Sequence, residues 1–215
     1  MKFHLGVDLG QVNDYTAVCM IEALRPPEIN EGRLLVLKYL TRFRDVLYPD
    51  VADRVEKLMK HPRLAGRTSL AVDATGVGPA VTDLLKKRGT SLKEVKIHGG
   101  DSETRGESGV HRVPKRDLVS TLQVALQTGV LKIPSKLELG ETLRDELMNF
   151  RVKINVSTGH DSYEAWREGD HDDLVLAAAL AAWSASKFPI DVGFPIGVGP
   201  GGGMGSYLSA VRGAS

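Results

Sequence analysis

The sequence predicts one α/β domain built on a mixed β-sheet with helices on both faces. Apolar residues alternate along three early segments joined by short polar turns, the pattern of an antiparallel meander. Later extended segments are short and are separated by stretches of helical periodicity, which deliver strands by crossover and pair them parallel. The last periodic segment is apolar over most of its length, as suits a helix buried against a sheet.

The first strand is Lys2–Asp8, with Phe3, Leu5 and Val7 on one face and His4, Gly6 and Asp8 on the other. Tyr15–Glu22 and Arg33–Phe43 follow, parted by a proline-bearing turn around Pro26–Gly32. Pro49–Met59 reads as a helix through Val51, Val55 and Leu58. Ser69–Asp73 is a short strand that runs through Thr75-Gly76-Val77-Gly78-Pro79 into a helix reaching Leu85, and Val95–His98 is another strand. Residues 99–110 combine glycine, serine and charge and are expected to form a mobile loop. Lys115–Gln127 is an amphipathic helix stopped at Gly129, Leu131–Ile133 is extended, and Leu137–Phe150 is helical. Arg151–Val156 alternates, Ser157–Asp161 is a turn and Ser162–Trp166 returns, so a late β-hairpin is expected. Asp172–Ser186 is the apolar helix. The domain is expected to occupy residues 1–188, and the Gly/Pro-rich residues 189–215 to form a flexible tail.

Composition narrows the function classes. Lys plus Arg is 28 and Asp plus Glu is 27, so a polyanion partner must be met by basic residues gathered on one face. Cys19 is the only cysteine, which excludes an intramolecular disulfide and a cysteine-based metal site, and its apolar neighbours predict core packing. No apolar run approaches the ~20 residues of a membrane span.

The chemistry-bearing residues are aspartates. Asp8 and Asp73 close two strands and share their faces with the small residues Gly6 and Ala71, which would let a helix approach closely. Asp172 and Asp173 open the last helix, one turn before Ala177-Ala178-Ala179, so its first turn could be carried toward Asp8. Taken singly, such residues are usually turn formers or helix caps. Together they suit a site for hard divalent cations: repulsion would raise at least one pKa, and Mg²⁺ or Mn²⁺ would relieve it. Two ions about 3.5–4 Å apart can activate water, neutralise a phosphodiester and assist the leaving oxygen.

These residues also resemble a known pattern. Gly6-Val7-Asp8-Leu9-Gly10 with Asp14-Tyr15-Thr16-Ala17, then Ala71–Gly78, then His171-Asp172-Asp173-Leu174-Val175-Leu176-Ala177 are similar to the nuclease domain of tailed-phage large terminase subunits, over roughly residues 3–186. The resemblance implies a ribonuclease H-like fold and cleavage of double-stranded DNA with two Mg²⁺ or Mn²⁺ ions during genome packaging in the host cytoplasm. It implies that Asp8 is shared by both ions, Asp73 holds one and Asp173 the other, with Asp172 competing for that role and Asp14 secondary. It places the 151–166 hairpin near DNA, and it implies an ATPase domain, a portal and a small terminase subunit as partners. No Gly-x-x-x-x-Gly-Lys-Ser/Thr loop is present, so the chain is expected to be a nuclease domain without its ATPase. Candidate phosphate contacts are Arg112, Lys115, Arg116, Arg151, Lys153 and Arg167, with His171 beside the metal ligands. Competing expectations are a junction resolvase or transposase-like nuclease of the same fold, a fragment of an actin-like or sugar-kinase ATPase, and a non-catalytic DNA-binding module.

Overall fold

The computed structural model describes residues 2–10, 14–25, 33–106, 108–156 and 172–188, with backbone alone for 151–156. Eight strands form one sheet: β1 Lys2–Asp8, β2 Thr16–Leu24, β3 Leu34–Phe43, β4 Thr68–Asp73, β5 Lys93–His98, β6 Thr104–Arg105, β7 His111–Pro114 and β8 Leu131–Lys132. Their order across the sheet is β6-β7-β5-β4-β1-β2-β3-β8. β1–β2–β3 is the expected antiparallel meander. β4 joins β1 in parallel, β5 joins β4, β7 joins β5, and β8 adds in parallel to the far edge of β3.

Period-two alternation gives the sheet two apolar faces. Leu5, Val7, Val18, Leu70 and Val72 pack with Val51 and Val55 of α1 (Tyr48–Met59) and with Val81 and Leu85 of α2 (Gly78–Lys87). The opposite face, with Ala17, Cys19, Ile21 and Ala71, packs on α5 (Asp173–Lys187). Beyond it lie α3 (Lys115–Gln127) and α4 (Gly140–Val156). Helix α5 therefore has sheet on one side and helices on the other, which is why residues 173–185 are buried all round. Trp183 lies in this layer, edge-on to His111 and Phe188.

Gly6 is what lets α5 lie so low. A Cβ built there would stand 2.1 Å from the Ala177 carbonyl oxygen and 2.6 Å from the Ala181 nitrogen. The helix backbone thus rests directly on β1, the close approach expected from the small residues. Cys19 is fully buried in this layer, and burial pushes its thiol pKa up.

Two expectations are corrected. Thr104–Arg105, inside the expected loop, form edge strand β6 antiparallel to β7, itself a strand that residue patterning had not indicated. Such short strands have too few residues to show a period, and only pairing creates them. Residues 151–156, expected as a hairpin arm, instead extend α4. A helix already nucleated over Gly140–Phe150 gains one hydrogen bond per added residue, which overrides a short β-branched alternation. The rest of the expected hairpin, with Arg167 and His171, and the expected tail lie outside the described residues.

Candidate active site

Asp8 and Asp73 end neighbouring parallel strands and project to the α5 side of the sheet. Asp172 and Asp173 arrive at the same end on the first turn of α5. Asp8 and Asp173 are each only 7% exposed. Burial raises the Asp8 pKa well above the carboxylate range, and the charges of Asp73, Asp173 and Asp172 push it further, opposed by Lys115. Asp173 is pushed up to about 7 by burial, then by Asp172 and Asp14, with Arg42 opposing. Aspartates far apart in the sequence therefore feel one another at one end of the sheet.

Each side chain is held differently. Asp73 Oδ1 accepts a hydrogen bond from the Thr75 amide at 2.8 Å. Thr75 Oγ1 in turn accepts from the Ile97 amide at 2.9 Å, stitching the end of β4 to β5. Burial raises Asp73 as well, while the Thr75 contacts favour its charged form. Gly78 permits the tight turn that follows, since a Cβ there would meet the Asp73 carbonyl oxygen at 2.3 Å. Asp172 occupies the N-cap position without making a side-chain cap bond; instead it accepts from Lys115 Nζ at 2.8 Å. Asp14 is exposed and acts on Asp173 through charge.

The cap of α5 comes from elsewhere. Glu146 of α4 accepts hydrogen bonds on Oε2 from the amides of Leu174 and Val175, at 3.1 and 3.3 Å. Its Oε1 accepts from Arg42 at 3.1 Å. Burial is the main reason its pKa rises to about 7. Sequence reasoning passed over Glu146 and Arg42. A signal was present: Leu143, Glu146, Leu147 and Phe150 are spaced as one buried helical stripe, and a carboxylate on such a stripe needs a partner.

Among the described residues, no group of three or more His, Cys, Asp or Glu is placed to hold a metal ion with the side chains as they stand. The donor set nevertheless fits a hard divalent cation: four carboxylates, no sulfur or imidazole, and a shared excess of negative charge that burial makes costly. Of the expected phosphate contacts, Lys115 belongs to this cluster, Arg112 is exposed on β7, and Arg116 is paired with Asp101 at 2.7 Å. The side chains of Arg151 and Lys153 lie outside the described residues.

Residues 5–183 match the family model described as the terminase RNase H-like domain. The chain belongs to this family. Among the described residues, the eight-stranded sheet and five helices form the ribonuclease H-like fold of solved terminase domains. The large terminase nuclease from thermophilic phage G20c is 21% identical, with 86% of this chain and 82% of that chain covered and a TM-score of 0.54. The same phage nuclease with bound zinc is similar at 20% identity and a TM-score of 0.51, covering 86% of this chain and 81% of that one. The human cytomegalovirus terminase nuclease domain, soaked in manganese with an inhibitor bound, is 15% identical, covering 85% and 82%, with a TM-score of 0.50. No curated protein matches the chain. In this terminase domain the matched span runs from β1 to α5 and so includes all four aspartates.

Proposed function

We propose that this terminase domain is a metal-dependent endonuclease. It cuts double-stranded DNA of a concatemeric viral genome during packaging, with little sequence preference, by two-metal-ion phosphodiester hydrolysis. The observation that carries the reading is the meeting of Asp8, Asp73 and the Asp172–Asp173 pair at one end of the sheet, where burial and neighbouring carboxylate charge raise the pKa of Asp8 and of Asp173. The zinc and manganese of the related terminase nucleases support a divalent-metal requirement.

Asp8, central to the cluster, would be shared by the two cations, with Asp73 and Asp173 each helping to hold one of them. Asp172 is the weaker candidate because Lys115 already engages it at 2.8 Å. Mg²⁺ or Mn²⁺ supplies Lewis acidity toward the phosphate and lowers the pKa of a bound water. Lys115 is half-buried beside the carboxylates, where its ammonium can meet a scissile phosphate. Glu146 holds the first turn of α5, and with it Asp173, against the sheet. Arg112 gives a backbone contact to the duplex without reading bases. In the host cytoplasm the domain would act with an ATPase domain, a portal and a small terminase subunit.

Plasmid cleavage tests the reading. Mg²⁺ or Mn²⁺ should support nicking and linearisation, and excess chelator should stop both. The near-isosteric Asp8→Asn should abolish cutting while circular dichroism stays unchanged. Cutting by Asp8→Asn at the wild-type rate would remove Asp8 from the mechanism.

A further inference from the structure

The opposite end of the sheet holds a polar cavity. Its volume is about 270 Å³, and its polar lining is Lys2, Arg67, Thr68, Ser69, Ser91 and Lys93, with no acidic residue. Lys2, Thr68 and Lys93 begin β1, β4 and β5, whereas Asp8 and Asp73 end the first two of these strands. At about 3.3 Å per residue the cavity lies roughly 20 Å from the carboxylates, beyond the reach of any one small ligand at their site.

The cavity wall is ordered from behind. Lys93 Nζ donates to Ser69 Oγ at 2.7 Å. Ser69 Oγ lies 3.0 Å from Ser184 Oγ, which lies 3.2 Å from His4 Nδ1. An ammonium can only donate, so Ser69 accepts from it, and the two serine hydroxyls and the imidazole continue the chain of hydrogen bonds behind the wall. His4 is neutral in this arrangement, its pKa pushed down to about 4 by burial and then by Arg33 and Lys93. Among the described residues neither Lys93 nor Arg67 forms an ion pair with a carboxylate, and Lys93 Nζ lies 4.3 Å from the centroid of the Phe188 ring.

A cavity offering ammonium, guanidinium and hydroxyl donors, and no carboxylate, matches the oxygens of a phosphate group. We propose that this cavity is a phosphate-binding site separate from the carboxylate cluster, with Lys93 and Arg67 as its charged donors. The phosphate comes from a free nucleotide or from a nucleic-acid strand at that pole. The site stands on its own observations and does not depend on the nuclease reading.

Amide NMR titration of the full chain without divalent metal tests it, using inorganic phosphate, adenosine monophosphate and a short DNA duplex in separate arms. Saturable shifts should centre on Ser69, Ser91 and Lys93. Saturation by the monophosphate assigns the free nucleotide as the source; saturation by the duplex alone assigns the strand; either outcome supports the site. Lys93→Gln and Arg67→Gln should each weaken binding by about tenfold or more. Arg67 is exposed, so its variant decides the matter if the Lys93 variant does not fold. No saturable shift in any arm, or undiminished binding by Arg67→Gln, overturns the proposal.

Discussion

Glu146 shows how much one side chain can organise. It satisfies two amides at the start of α5 and the guanidinium of Arg42 from within the core. Glu146→Ala leaves these donors buried without an acceptor, and should lower unfolding free energy by about 3 kcal/mol in urea denaturation. Glu146→Gln keeps an acceptor oxygen and should lose less; equal losses would show that acceptance is not what matters. His4 sets a pH dependence of stability. Its ordinary pKa of 6.5 falls to about 4 in the folded chain, so between those values the unfolded state binds the extra proton. The contribution of this group is complete above pH 6.5 and declines as pH falls toward 4, by about 3 kcal/mol. The raised carboxylates Asp8, Asp73, Asp173 and Glu146 act in the opposite sense over the same range, so the His4 contribution is read as a difference: a His4→Asn variant should gain stability relative to the parent chain as pH falls from 6.5 to 4, and a constant difference in denaturation midpoint would remove His4 from the pH dependence.

At the scale of elements, the contact between β1 and α5 joins fold to site. Because α5 rests on Gly6, its first turn is carried to the end of β1 where Asp8 stands. Gly6→Ala puts a methyl group into the helix backbone, and should cost about 1–3 kcal/mol as the helix lifts. Metal-dependent cutting should fall further than stability predicts, since Asp173 moves with the helix. Thermal melts beside plasmid-cleavage rates separate the two effects, and a stability loss with full cutting would detach α5 placement from activity. The periodicities of α1, α3 and α5 made these helices legible, because each turns a regular apolar stripe to the sheet or lies wholly within it. β6 and β7 were not legible, since a strand of two or four residues exists only through its neighbour's hydrogen bonds.

For the whole molecule, the near balance of charge means that DNA affinity rests on local placement of cations. Charge reversal at Arg112 should weaken duplex binding and flatten its dependence on salt, read by fluorescence anisotropy across ionic strength. An unaltered salt slope would take Arg112 out of the interface. A chain ending at residue 188 should keep its melting temperature and its cutting, because the described core closes with α5 and Phe188. Loss of either would give residues 189–215 a structural part. Linear duplex should be cut at least as well as a four-way junction; strong junction preference would favour a resolvase.

Alternation, helical spacing and the position of each aspartate in its segment determined the sheet's meander, the main helices and the four carboxylates worth watching. These are local properties, written in the order of residues along the chain. Tertiary structure alone decided what those residues meet. Whether Asp172 caps its helix or answers Lys115, and whether Glu146 lies on a surface or beneath α5, depends on helices brought together from distant parts of the chain. Partnership across such distances is set by packing, and packing leaves no period in the sequence.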